Sequence, residues 1–280
     1  MKALSFRHEG AATYGVSVDG CIFEAETGFR DKYRDLRAVL AAGELGRLQD
    51  HCNDASLNAA DVQYLPTIAN PDKIICVGVN YRPHVEEMGR DIPEKPVLFV
   101  RFPGSFVGHE QALVYPEPSE QYDFEGELAV VMGQRARRVN RKDAADYIGG
   151  YTCLMDGSAR DWQRHTSQFT AGKNFRASGA MGPYLVTPDE IGEASRLPLQ
   201  TRVNGKLMQQ ATLADLIFDI PALIEYCSTF ADLLPGDVIA TGTPGGVGAG
   251  RKPPTWLSPG DEVVVDTGPV GLLRNRVASE

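Results

Sequence analysis

Three acidic residues alternate along one short stretch, Asp123-Phe124-Glu125-Gly126-Glu127, and an apolar run from Leu128 to Met132 follows at once. In a strand, residues two apart share a face, so the three carboxylates would project together. Like charges held that close repel, which is unfavourable unless a cation lies between them. Carboxylates at the mouth of a buried strand therefore suit a hard, oxygen-seeking ion such as Mg²⁺, Mn²⁺ or Ca²⁺. The same letters also fit a solvated acidic edge strand, and the spacing alone does not choose between the two. A further carboxylate, Asp156, ends the apolar run Tyr151-Thr152-Cys153-Leu154-Met155. A strand end is a common place for a ligand, and equally for a turn or helix-capping residue.

Proton chemistry has one local candidate. His84 and Glu87 lie three apart in Tyr81-Arg82-Pro83-His84-Val85-Glu86-Glu87, so on a helix they share a face. A carboxylate beside an imidazole raises its basicity and fixes its orientation, and such a pair can take a proton from water. The plain alternative is a surface histidine with a helix salt link. The glycine-rich run from Gly242 to Gly250 holds no phosphate-binding lysine and opens no βαβ unit. It reads as a loop whose glycines allow the backbone to approach a site closely.

These residues need elements to hold them. From Lys73 onward the pattern is strand-rich: Ile74 to Val79, Pro96 to Val100, Gly126 to Met132 and Gly150 to Met155. Helices are short. Asn140 is placed to cap one over Lys142 to Tyr147, and Asp219 to cap another that carries Pro221 in its first turn and runs to about Phe230. Pro235-Gly236-Asp237 and Pro259-Gly260-Asp261 each feed a strand, as a β-rich domain with regular turns requires. Residues 1 to about 69 form a separate small unit. It has strands around Leu4-Ser5-Phe6 and Gly15 to Val18, and helical spacing of Leu36, Val39 and Leu40 between Tyr33 and Leu48. The two prolines between Pro66 and Asp72 mark the boundary.

Bulk properties narrow the partners. The chain has 280 residues and a net charge of −9, which argues against nucleic acid because phosphate binding needs a basic face. Its five cysteines are scattered without a Cys-x-x-Cys pair and read as reduced core residues. The first residues lack a signal-type apolar run, and no stretch approaches the roughly 20 apolar residues of a spanning helix. A cytoplasmic protein without membrane contact is expected.

Taken in order, Glu125-Gly126-Glu127-Leu128-Ala129-Val130-Val131, Gly150-Tyr151-Thr152 and Asp156-Gly157-Ser158-Ala159-Arg160-Asp161-Trp162-Gln163 resemble the fumarylacetoacetate hydrolase superfamily. Gly78-Val79-Asn80-Tyr81, Gly172-Lys173-Asn174-Phe175, Met181-Gly182-Pro183, Val203-Asn204-Gly205 and the run from Gly236 to Gly248 agree in the same order. The resemblance covers roughly residues 73 to 277. It implies an α+β, β-rich fold: a mixed β-sandwich roll over residues 70–280, preceded by a small N-terminal α/β domain over residues 1–69. It further implies a divalent metal, Mg²⁺ or Mn²⁺ with Ca²⁺ as an alternative, held by Glu125, Glu127 and Asp156, with Asp123 behind them. His84 and Glu87 then form a lid pair over the metal, Lys173 lies against the substrate, and Arg160, Gln163 and Thr243 contact it. For each of these the bland alternative is a surface hydrogen-bonder. His8, His51, His109 and His165 match no motif of the family.

Val79, Arg101 and Arg176 depart from the commonest pattern of the family, as does Asn174, and they alter the charge expected near the pocket. The expected reaction is metal-dependent hydrolysis of a carbon–carbon bond in a 2,4-dioxo acid, an acylpyruvate-like catabolite. Decarboxylation of an oxaloacetate-like acid and isomerisation or hydration of an unsaturated 2-oxo acid would use the same site. A non-catalytic, Ca²⁺-binding β domain is the reading from another class. Similar proteins imply a homodimer.

Overall fold

The structure is a computed structural model, and it describes residues 1–87, Gly89 and residues 91–280. Five strands meet near the acidic stretch: β5 (Ile74–Gly78), β6 (Val97–Arg101), β7 (Gly126–Met132), β8 (Ile148–Met155) and β12 (Val238–Ala240). They belong to a sheet that also takes in β9 (Gly179–Val186) and four N-terminal strands: β1 (Lys2–His8), β2 (Ala11–Val18), β3 (Cys21–Ala25) and β4 (Cys52–Leu57). Its order is β4-β3-β2-β1-β9-β8-β7-β12-β5-β6. Most neighbours are antiparallel; β12 and β5 run parallel. A second sheet holds β10 (Pro198–Val203), β11 (Lys206–Thr212), β13 (Glu262–Asp266) and β14 (Leu272–Ala278), in the order β11-β10-β13-β14.

β7 explains how the two sheets close into a mixed roll. Alternate residues point to opposite faces, and both faces of this strand are buried. Leu128, Val130 and Met132 join a core with Leu199, Val265 and Leu273 of the second sheet. Ala129 and Val131 face a second core with Met181, Leu185 and Val238. Leu36, Val39 and Leu40 reach that same second core from the N-terminal residues. A strand buried on both sides reads as a continuous apolar run, and its position in the sequence was legible for that reason.

Helices are short. They are α1 (Thr27–Lys32), α2 (Leu36–Ala41), α3 (Arg82–Glu87), α4 (Arg160–Gln163), α5 (Thr170–Lys173) and α6 (Ile220–Phe230). In α6 the Asp219 side chain accepts from the Ala222 N–H at 3.0 Å and Pro221 sits in the first turn, as expected. The Tyr33–Leu48 stretch divides into α2 and a 3₁₀ turn over Leu45–His51, with Gly43 at a positive φ of 71° between them. The segment after Asn140 is likewise 3₁₀, Arg141–Tyr147, and the Asn140 side chain makes no capping bond to the backbone. No helix among the described residues is long and apolar enough to cross a membrane.

Candidate active site

The acidic stretch is not one continuous strand. Tyr122–Asp123 pairs with Ser158–Ala159 as a separate two-residue ladder, and β7 starts only at Gly126. Asp123 therefore turns away from the other carboxylates. Its Oδ1 accepts from the Gly248 N–H at 2.7 Å, and its Oδ2 from Ala249 N at 3.0 Å and Arg160 Nε at 2.8 Å. Gly248 is required there, because a Cβ on it would lie 1.9 Å from the Thr255 carbonyl oxygen and 2.5 Å from Asp123 Oδ1. Gly248→Ala is expected to destabilise the protein by about 3 kcal/mol through this overlap with backbone, measurable as a lower denaturant midpoint with an unchanged slope.

Glu125, Glu127 and Asp156 do converge. One carboxylate oxygen from each lies within 4.8 Å of the others, and all three residues are buried. Adjacent strands bring them together: Gly126 is in register with Met155, and the Asp156 N–H donates to the Glu125 carbonyl at 2.8 Å.

Basic side chains neutralise two of the three. Lys173 Nζ donates to Glu125 Oε2 and Asp156 Oδ2, both at 2.6 Å, and Arg160 Nη2 lies 2.5 Å from Glu125 Oε1. Burial alone would raise the Glu125 carboxyl, but the charges of Arg160, Lys173 and His84 outweigh it and hold the group well below the usual carboxylate range. Arg101 Nη1 donates to Asp156 Oδ1 at 2.6 Å. Glu127 has no cation in ion-pair range among the described residues; its one bond is from the Gly242 N–H at 2.8 Å. Burial first, then the charges of Asp156 and Glu125, push its carboxyl well above the ordinary value. An all-oxygen set of three buried carboxylates, one lacking a counter-charge, fits a hard divalent cation.

Arg101, expected to alter the charge near the pocket, is fully buried behind Asp156, donating also to the Gly157 and Ser105 carbonyls and the Ser105 and Ser178 hydroxyls. It is a positioning residue for Asp156. Arg101→Met would leave that carboxylate with one cation fewer, and a loss of about 3–5 kcal/mol in unfolding free energy is expected. Arg101→Lys should recover part of it in the same denaturation measurement. Arg176 is exposed and does not line the cavity, and Asn174 ties the edge strand by bonding the Val100 carbonyl and the Phe102 N–H. Val79 does line the cavity, at a φ of 56° that a β-branched residue rarely adopts.

A cavity of about 480 Å³ opens over the carboxylates. It brings together Glu125, Glu127, His84, Lys173, Arg160, Gln163 and Thr243, while Asp156 lies fully buried beneath. His84 and Glu87 stand on α3 as expected, with Nδ1 3.5 Å from Glu87 Oε2. Burial raises the Glu87 carboxyl, but hydrogen bonds from His84 and the Gly246 N–H and the charges of His84 and Arg251 outweigh it, so its pKa is lowered. Gln163 accepts from Arg160 at 3.0 Å. The Thr243 hydroxyl donates to the Gly126 carbonyl at 2.9 Å and accepts from Gln209 at 2.8 Å. Three glycine N–H groups, of Gly242, Gly246 and Gly248, bond Glu127, Glu87 and Asp123. The glycine-rich loop thus touches every layer of the site. Its residues were legible in the sequence as a close-approach loop, but their partners were not.

A sequence model described as fumarylacetoacetate (FAA) hydrolase C-terminal matches residues 73–278. The chain belongs to the fumarylacetoacetate hydrolase family. Within it, the oxaloacetate tautomerase YisK of Bacillus subtilis is 43% identical over 232 residues, covering 81% of this chain and 77% of that protein. The human mitochondrial oxaloacetate tautomerase FAHD2A is 40% identical over 223 residues, covering 79% and 71%. Among solved structures, the fumarylacetoacetate hydrolase of Exiguobacterium antarcticum superposes with a TM-score of 0.88 at 33% identity, covering 100% of both chains. The mixed, sheet-rich roll expected from the resemblance is thus the observed fold of this family member.

Proposed function

We propose that this protein is a divalent-metal-dependent tautomerase of oxaloacetate-like 2-oxo acids. The observation that carries the reading is His84, with Glu87 behind its Nδ1, facing Glu125, Glu127 and Lys173 across one cavity. Keto–enol exchange moves one proton off C3 and one onto the C2 oxygen, so it needs a positioned base, a charge at the developing enolate and no attacking water. Glu125, Glu127 and Asp156 would hold the cation, which would supply positive charge to stabilise a developing enolate. Glu87 keeps the Nδ1 proton of His84, which leaves Nε2 to take the C3 proton and return it. Lys173, whose ammonium is held charged by Asp156 and Glu125 against burial, donates toward the C2 oxygen. Arg160 and Gln163 orient the carboxylate end.

The identity to two oxaloacetate tautomerases favours this reading over the carbon–carbon hydrolysis expected from the sequence. Hydrolysis of a 2,4-dioxo acid remains the second reading, supported by the full-length likeness to the Exiguobacterium hydrolase. Product analysis separates them. With Mn²⁺-loaded protein, enol-oxaloacetate should convert to the keto form without change of mass, and an acylpyruvate should stay intact. Cleavage of the acylpyruvate to pyruvate and a second acid, with no effect on the enol, would replace the first reading by the second.

A further inference from the structure

The cavity's cations are unequally engaged. Arg160 is 3% exposed and bound to Asp123 and Glu125; Lys173 is 1% exposed and bound to Glu125 and Asp156. Each already answers two buried carboxylates of the protein as well as the 2-oxo acid end, so a second substrate carboxylate would compete for the same charge. Arg164, one residue past the end of α4, also lines the cavity and is exposed. Among the described residues it forms no ion pair; its Nη1 donates to the neutral Gln121 side chain at 3.2 Å, which steadies the guanidinium at the mouth. The hydroxyl-bearing Thr166 and Ser167 line the same mouth. The remaining wall, with Val77, Val97 and Phe99, is apolar and would leave a buried carboxylate without partners.

We infer that Arg164 binds the distal carboxylate of the substrate, so that the cavity selects 2-oxo dicarboxylic acids over monocarboxylic ones. This rests on the tautomerase reading for the reaction, but not for the binding. The substrate's 2-oxo acid end lies over the buried carboxylates, and its other charge meets the one cavity-lining cation, among the described residues, that has no carboxylate partner. A planar guanidinium with free N–H groups pairs with a carboxylate in two parallel bonds.

The test is calorimetric binding of malate and lactate to the Mn²⁺-loaded protein. These 2-hydroxy acids differ in the distal carboxylate alone, and neither needs to turn over. In Arg164→Gln, malate affinity is expected to fall roughly 10- to 100-fold while lactate affinity stays within about twofold, as for loss of one charge-assisted pair. Arg164→Lys should restore part of the malate affinity. With oxaloacetate as substrate, the Gln variant should raise KM and leave kcat unchanged. Equal losses for the two acids, unchanged malate binding in the Gln variant, or a wild-type protein that binds malate no better than lactate would each overturn the inference. Failure of the functional reading looks different: no tautomerisation by the wild type, with the malate preference and its loss in Arg164→Gln intact.

Discussion

Substituting His84 by Ala is expected to lower the tautomerisation rate by about 10²- to 10⁴-fold, the range lost when a positioned general base is removed. His84 is 6% exposed yet lines the cavity, and Glu87, tied down by the Gly246 N–H, faces its Nδ1. The imidazole is thereby fixed in orientation with one nitrogen left for the substrate. The loss should fall on kcat, because the base acts on the reacting carbon and holds none of the substrate's charge. Thermal unfolding of the variant should move little, since among the described residues the ring makes a single polar contact. Glu87→Gln should cost less, leaving the ring in place but weakening its basicity. A His84→Ala enzyme with unchanged kcat would mean that another group moves the proton.

The second large effect concerns Glu127. Its carboxyl is 1% exposed and has no cationic partner among the described residues, so without a metal the folded protein holds a buried, poorly compensated acid. Glu127→Gln should therefore stabilise the metal-free protein, by about 1–3 kcal/mol, because the amide oxygen can still accept from Gly242. The same change should abolish stabilisation by Mn²⁺. In the wild type that stabilisation amounts to about 2.7 kcal/mol when free ion exceeds its dissociation constant a hundredfold. The pH dependence has a definite sign. A carboxyl raised in the folded state disfavours folding once the unfolded chain has ionised, so metal-free wild type loses stability as pH rises above the ordinary glutamate range, and the variant does not. Melting curves of both proteins with chelator and with Mn²⁺, at several pH values, measure all of this. An unshifted melt on adding metal to the wild type would contradict the assignment of the three carboxylates.

How much of this could be read from the letters depends on the range of the interactions. β7 was legible because a strand buried on both faces leaves an unbroken apolar run, and α6 because Asp219 and Pro221 mark its start in sequence. The His84–Glu87 pair was legible because three residues on a helix make a local contact. The convergence of Asp156 with Glu125 depends on strand register between β7 and β8, which spacing does not encode; the ordered motifs of the family supplied it. Alternation suggested that Asp123 would join the other carboxylates, and it does not. The ladder breaks at Phe124-Glu125, and the chain turns Asp123 toward Gly248, more than a hundred residues away. Arg101 is the other long-range case. The sequence placed its charge near the pocket without naming a partner; the alternation that points Phe99 inward also points Arg101 inward, onto Asp156.

The most direct measurement follows the decay of enol-oxaloacetate absorbance with protein stripped by chelator, then restored with Mn²⁺. The account predicts that stripped protein barely exceeds the spontaneous rate, that Mn²⁺ restores rapid conversion to the keto form without loss of mass, and that Glu127→Gln cannot be restored. Equal acceleration by stripped and Mn²⁺-loaded protein, or none by either, would contradict it.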